Sequence, residues 1–150
     1  MSLEQSGRLI EMQLEEIIGN LEKEELLIIK DYMVQDKKKE SEILQEIISL
    51  DQEELLDSGK IAKILGYENF DNYDEVGVYT KGYRILNKIP RMPNNIVENL
   101  VKTFKSFQHI LLADIPELDN VEGIGEIRAR TIKQALQRMQ EQFVFDRMLI

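Results

Sequence analysis

Apolar residues recur along most of the chain at intervals of three, four or seven, the spacing of one face of an α-helix. The first apolar stripe predicts a helix that ends at Gly19, with Asn20 capping the next one. Its apolar positions are Leu3, Ile10, Leu14, Ile17 and Leu21. A denser apolar segment predicts a second helix over residues 21–34. Because that segment is apolar on all sides, we expect it to be buried, and it could be buried against another chain.

Further short helices are predicted before residue 68. A third apolar stripe consists of Ile43, Leu44, Ile47 and Ile48. Asp51 is placed to cap the next helix, and Glu54 is placed three residues later to complete a capping box. Gly66 ends the last of these helices. Residues 1–67 are therefore predicted to form an α-helical module of about five helices.

The segment 68–80 interrupts this pattern, because Asn, Asp and Gly residues are scattered there among aromatic ones. Its aromatic side chains should pack, so we interpret it as an ordered connection rather than a flexible linker. We predict two domains, 1–75 and 76–150. The fold class is all-α.

The sequence LDNVEGIGEIRARTI, residues 118–132, has the pattern of a helix-hairpin-helix unit, which binds nucleic-acid backbone without reading sequence. Its small and apolar frame consists of Leu118, Val121, Ile124, Ala129 and Ile132. One of the two glycines, Gly123 or Gly125, should allow the positive φ of a tight turn, and the other should let a phosphate approach the backbone. The second helix begins at the turn, so its N–H groups and positive dipole end should face that phosphate.

An internal repeat precedes this unit at an offset of 32 residues. It places Leu118, Val121, Ala129 and Ile132 onto Leu86, Ile89, Val97 and Leu100. The Gly-Ile-Gly turn falls on residues 91–93, Arg-Met-Pro, so the first copy has lost both glycines. Between the copies Ser106 should cap a short helix, and Asp114 with Glu117 forms a second capping box. We predict a tandem helix-hairpin-helix domain behind an N-terminal helical linker, or spine, domain.

Charge is unevenly distributed along the chain. Residues 1–80 contain 8 Lys and Arg against 20 Asp and Glu, a net charge of −12, whereas residues 81–150 contain 11 against 8, a net charge of +3. The predicted hairpins lie in the basic part. This asymmetry indicates two modules with different partners.

The residues predicted to contact DNA lie at the two hairpin turns and just after them. For the second hairpin they are Gly123, Ile124, Gly125, Arg128, Arg130 and Lys133, and for the first they are Arg91 and Lys88. Arg128 is the first choice for a direct phosphate contact. The neighbouring Glu122 and Glu126 oppose a phosphate, so binding should be modest and sensitive to salt. The alternative is a protein–protein interaction module that recruits a DNA-repair partner, with DNA contact incidental.

No catalytic or metal site is predicted. The chain has no cysteine and a single histidine, His109, whose position on a short amphipathic helix favours a structural or surface role over catalysis. No nucleotide-binding glycine loop or metal-ligand spacing is present. No apolar run approaches the roughly 20 residues that a membrane span requires. Residues 143–150 are interpreted as an apolar tail that follows the last helix.

Two stretches, KGYRILNKIPRMP and IVENLVKTFKSFQHILLADIPELDNVEGIGEIRARTIKQAL, resemble the C-terminal part of the bacterial DNA integrity scanning proteins, a family of diadenylate cyclases. The preceding LDQEELLDSGKIAKILGY resembles that family's helical linker. The resemblance implies a linker and a DNA-binding domain that senses branched DNA, such as recombination intermediates, and controls synthesis of cyclic di-AMP. The family's cyclase domain carries DGA and RHR motifs, and neither occurs here. We therefore expect that domain to lie outside this chain, and the chain itself to have no enzyme activity.

The resemblance also implies the partners. The cyclase domain would use ATP with Mg²⁺ or Mn²⁺, whereas no cofactor is expected in this chain. Branched DNA is the expected ligand of the hairpins, and the linker helices are expected to support self-association. The expected location is the bacterial cytoplasm, in association with the nucleoid.

Overall fold

The computed structural model describes residues 2–68 and 78–148, and every regular element in these ranges is an α-helix. The predicted all-α class is therefore confirmed. The chain divides into two compact units, Met1–Gly77 and Val78–Ile150, each with its own core. The predicted boundary between residues 75 and 76 lies outside the described residues and stays a prediction.

The described part of the first unit contains four helices. They are α1 (Leu3–Tyr32), α2 (Glu40–Ile48), α3 (Gln52–Leu55) and α4 (Ser58–Ile64). The prediction of a break at Gly19 and Asn20 was wrong, because α1 continues through both residues. A glycine inside a helix costs only about 1 kcal/mol relative to alanine, which the surrounding helix-forming residues offset. The two predicted helices are thus one, and the predicted number of five falls to four.

The core of the first unit lies around the C-terminal end of α1. Its buried side chains are Ile29, Met33, Ile43 and Ile64. Asp51 caps α3 in a complete capping box with Glu54, as the sequence predicts. After α4, Gly66 adopts a φ of +100°, and the next residue, Tyr67, donates a hydrogen bond of 2.6 Å to the Tyr32 carbonyl oxygen. These contacts fix the end of α1 against α4.

The rest of α1 carries apolar side chains that the described residues leave exposed. They are Leu9, Ile10, Met12, Leu14, Ile17, Ile18 and Leu21. The expectation that the later apolar segment is buried was only partly right. Ile29 is buried, but Ile28 is 42% and Tyr32 is 38% exposed. Among the described residues, one face of α1 enters the core and the other faces stay exposed.

The second unit contains five helices in its described residues. They are α5 (Tyr83–Leu86), α6 (Asn94–Phe104), α7 (Phe107–Leu112), α8 (Ile115–Asp119) and α9 (Glu126–Met148). Ser106 caps α7, and Asp114 caps α8 in a capping box with Glu117, as the sequence predicts. The interpretation of residues 143–150 as a tail after the last helix was wrong for residues 143–148, because α9 continues to Met148. No glycine or proline interrupts this stretch, so the helix propagates beyond the unit's core.

The core of the second unit is built from the positions that the repeat relates. The pairs Leu86 and Leu118, Ile89 and Val121, Val97 and Ala129, and Leu100 and Ile132 are all buried. Each copy therefore has a short helix, a turn and a longer helix around the same apolar frame. This common frame brings the two turns into one structural unit.

Candidate nucleic-acid interface

The backbone of the two turns is equivalent, although their sequences differ. Ile89 N–H donates to the Leu86 carbonyl oxygen over 3.1 Å, and Val121 N–H donates to the Leu118 carbonyl oxygen over 3.1 Å. Further on, Val97 N–H bonds to the carbonyl oxygen of Pro93, as Ala129 N–H does to that of Gly125. The apolar frame thus determines the path of the chain even where the glycines are lost.

Gly123 has a φ of +82°, and its equivalent in the first copy, Arg91, has a φ of +58°. The predicted need for a positive φ at one turn residue is therefore confirmed. An L residue with a Cβ reaches this left-handed region at a cost of roughly 1–2 kcal/mol. The first turn keeps the conformation and places a cationic side chain on it.

Helix α6 of the first copy supports the turn of the second. A Cβ added to Gly123 would lie 2.7 Å from Ile96 Cδ1, so this turn packs too closely for any other residue without displacement. Beside it, Asn99 Nδ2 donates a hydrogen bond of 2.9 Å to the Glu122 carbonyl oxygen. Around Gly125, by contrast, a Cβ would meet nothing within 4 Å. Gly125 therefore leaves open space beside the start of α9.

The two turns and the first turn of α9 line one groove of about 480 Å³. Its lining residues are Ile89, Pro90, Arg91, Met92, Gly123, Gly125, Ile127, Arg128, Thr131 and Ile132. The structure thus brings together four of the eight residues predicted as DNA contacts. Two of them are arginines, one from each copy.

The two arginines of the groove have different surroundings. Arg91 is exposed at the first turn. Arg128 is half-buried, and its Nη1 donates a hydrogen bond of 3.3 Å to the Gly123 carbonyl oxygen. Because a guanidinium carries five N–H donors, this bond orients the side chain and leaves donors for a ligand.

The other four predicted residues occupy different environments. Ile124 is buried, so only its backbone is placed for contact with a ligand, and Lys88 is exposed in the first turn. Arg130 forms an exposed ion pair of 2.9 Å with Glu126. Lys133 Nζ donates to the carbonyl oxygens of Leu111 at 2.9 Å and Ala113 at 2.6 Å.

Some groove and support residues were missed at the sequence level. Ile127, Met92 and Thr131 line the groove, and Asn99 supports it. Asn99 and Thr131 are related by the 32-residue offset, so the repeat itself was an available signal. Ile127 offered no such signal, because it lies outside the apolar stripe and the periodicity of apolar residues predicts nothing for a single residue there.

Elsewhere, the described residues present little further chemistry. His109 Nδ1 lies 3.1 Å from the Phe104 carbonyl oxygen, on the exposed side of α7. In residues 2–68 and 78–148, no three His, Asp or Glu side chains are grouped as metal ligands. Over the same residues, no helix combines the length and apolar character needed to cross a bilayer.

Residues 1–73 match the family described as the DisA bacterial checkpoint controller linker region. Across both units, the chain is similar to proteins named DNA integrity scanning protein DisA. It is 46% identical to that of Bacillus pumilus over 143 residues, which are 95% of this chain and 40% of the relative. It is 50% identical to that of Carboxydothermus hydrogenoformans over 137 residues, which are 91% of this chain and 39% of the relative. The chain thus spans about two fifths of the length of these relatives. Over 91% to 95% of its length the chain is thus similar to DNA integrity scanning proteins DisA, and its N-terminal residues match the linker region of that family.

Proposed function

We propose that the second unit binds DNA through its backbone phosphates at the groove between the two turns, as a tandem helix-hairpin-helix domain. The observation that carries this proposal is the convergence of two equivalent turns on one groove, to which each copy of the repeat contributes an arginine. Phosphate binding by arginine is favoured because a planar guanidinium forms paired charge-assisted hydrogen bonds with phosphate oxygens.

The second turn supplies the rest of such a site. Gly125 has no Cβ to obstruct a phosphate, and the amides that follow it form the first turn of α9. Amides in the first turn of a helix have no intrahelical acceptor, and the helix dipole is positive there. At the same place, Glu122 and Glu126 are exposed and repel a phosphate. We therefore expect moderate affinity with a strong dependence on salt.

We expect binding without sequence specificity and with a preference for branched DNA. The groove offers arginine side chains, backbone amides and apolar side chains. These groups suit the phosphate backbone, which carries no sequence information, rather than the pattern of donors and acceptors on base edges in the major groove. The relatives are named for DNA integrity scanning, which fits a protein that senses DNA structure rather than sequence. Association with the nucleoid would follow from such binding.

The chain itself is proposed to act as a sensor and linker rather than as an enzyme. In the whole protein, DNA bound at the hairpins would regulate the synthesis of cyclic di-AMP from ATP by a cyclase domain outside this chain. Metal ions would be needed at that domain. The linker unit would connect sensor and cyclase, and the exposed apolar residues of α1 support self-association through this helix.

The competing function is recruitment of a protein partner by the second unit. The exposed apolar side chains near the end of α9, Phe143, Val144, Phe145 and Met148, favour such a surface. Salt dependence separates the two functions. Phosphate binding weakens with a log–log slope of about −0.9 for each phosphate contacted on duplex DNA, whereas an apolar protein contact does not.

The test compares a four-way junction with a linear duplex of the same length, using Arg91→Gln, Arg128→Gln and the double variant. Each single variant should weaken junction binding by about tenfold and reduce the salt slope by about 0.9. Arg138→Gln is the matched control, because Arg138 is exposed on α9 outside the groove. If Arg91→Gln, Arg128→Gln and Arg138→Gln weaken junction binding equally, the groove is not the DNA-binding site.

A further inference from the structure

Ile127 is an apolar residue whose position the fold does not explain. It is the second residue of α9, and its side chain is 85% exposed. The core face of this helix is formed by Ala129, Ile132 and Leu136, all of them buried. At 100° per residue, Ile127 points about 140° to 180° away from each of these three residues. Packing within the unit therefore does not require an isoleucine there.

The surroundings of Ile127 are those of the groove. It shares the lining with Pro90 and Met92 of the first turn, and with the two arginines. Phosphate binding uses the arginines, the amides and the space beside Gly125, and it gains nothing from an exposed branched aliphatic side chain. The groove thus combines a cationic part with an apolar part, and the apolar part has no role in backbone binding.

We propose that Ile127 contacts the face of a nucleobase that is not stacked in a regular duplex. This inference rests on the proposed function and specifies its substrate class as DNA with unpaired or unstacked nucleotides, such as bulges and junctions. The arginines bind the flanking phosphates, and Ile127 covers the exposed base next to them. Met92 and Pro90 extend the same apolar surface from the first turn.

The physical basis is the removal of apolar surface from water. In a continuous duplex each base face is covered by its neighbours, so Ile127 finds only sugar and phosphate and gains little. Where the stack is broken, a base face and the Ile127 side chain are both exposed, and contact buries both. Isoleucine is among the apolar side chains that proteins place between unstacked base steps. The preference for DNA with a broken base stack over a continuous duplex then comes from the Ile127 side chain rather than from the phosphate contacts.

The test measures the affinity of Ile127→Gln and Ile127→Leu for two DNAs at one salt concentration. One is a linear duplex, and the other is the same duplex with a three-nucleotide bulge. The glutamine variant should bind the bulged DNA about tenfold more weakly and the linear DNA within twofold of the unmodified chain, with an unchanged salt slope. The leucine variant should retain most of the preference, because it keeps the apolar area.

Leu112→Gln is the matched control, because Leu112 is 75% exposed on α7 and does not line the groove. It should bind both DNAs as the unmodified chain does. If Ile127→Gln lowers the affinity for both DNAs equally, or for neither of them, the proposed role of Ile127 is overturned. In that case the Arg91 and Arg128 variants still decide whether the groove binds phosphate. If the unmodified chain binds neither DNA, the proposed function fails and this inference fails with it.

Discussion

Asn99 Nδ2 donates a hydrogen bond of 2.9 Å to the carbonyl oxygen of Glu122, which lies directly before Gly123. Asn99 belongs to the longer helix of the first copy, and Glu122 belongs to the turn of the second. The copy that lost its glycines therefore supports the turn that kept them. The first copy therefore contributes to the site through this hydrogen bond as well as through the charge of Arg91.

Asn99→Asp removes the donor and retains the shape of the side chain. The carboxylate faces the Glu122 carbonyl oxygen, so the turn loses a hydrogen bond and gains repulsion. We expect a loss of about 1 kcal/mol in unfolding free energy and several-fold weaker DNA binding, with the salt slope unchanged. Gln137→Glu is the control, because it also converts an amide to a carboxylate, at an exposed position of α9 outside the groove. Equal DNA affinities of the two variants would show that Asn99 does not support the site.

The two left-handed turn residues should respond to substitution in opposite directions. Gly123→Ala introduces a Cβ at a positive φ and within 2.7 Å of Ile96 Cδ1, so it should lower the unfolding free energy by about 1–2 kcal/mol. Arg91→Gly relieves the same backbone strain and should raise it by up to about 0.5 kcal/mol. Urea denaturation measures both changes. The stabilised Arg91→Gly variant should still bind DNA more weakly, because it lacks the cation.

Lys133 provides a test of a residue predicted from the sequence as a DNA contact. Its ammonium donates to two carbonyl oxygens at the end of α7, so Lys133→Met should lower the unfolding free energy by about 1–3 kcal/mol. We expect the salt slope of DNA binding to stay constant, whereas a phosphate contact would reduce it by about 0.9. Lys102→Met, an exposed position on α6, serves as the control for loss of charge.

Tyr67 should make the first unit sensitive to alkaline pH. Burial raises the pKa of its phenol above the ordinary value of 10.0, and the hydroxyl donates to the Tyr32 carbonyl oxygen. Since the folded chain binds this proton more tightly than the unfolded chain, the contribution to stability is complete below about pH 10. It is lost as the pH rises through the folded pKa.

Urea midpoints of the unmodified chain and of Tyr67→Phe, measured from about pH 8 to about pH 11, check this prediction. The variant lacks both the hydrogen bond and the titration, so the stability difference between the two proteins should shrink as the pH rises. A constant difference over this range would mean that the Tyr67 phenol does not titrate differently in the two states.

Much of the second unit could be predicted from local sequence. Capping by Asp114 and Glu117 involves residues three apart, and the apolar frame repeats at a fixed offset, so both are visible without tertiary information. A positive φ at one of the two turn glycines also followed from the local pattern, and the structure places it at Gly123. These features depend on neighbours in the chain.

The features that were not predicted depend on contacts between residues far apart in the sequence, or on whether a glycine ends a helix. Lys133 bonds to carbonyl groups 20 and 22 residues away, and Asn99 reaches across 23 residues, distances that no local pattern encodes. Gly19 ends a helix only where the chain must turn, and here a Cβ on it would meet nothing within 4 Å. The helix therefore continues through it, because no described residue packs there to redirect the chain.

The unsupported length of α1 has a consequence for hydrogen exchange. From Leu9 to Leu21 its apolar side chains are exposed, whereas Ile29 and Met33 at its end are buried in the core. Helical segments without tertiary contacts open at low free energy, so their amides should exchange with deuterium much faster than those near Ile29. A partner that covers the exposed face would slow exchange over that segment alone. The protection profile along this single helix therefore distinguishes the part held by the unit's own core from the part whose apolar face is open to a partner.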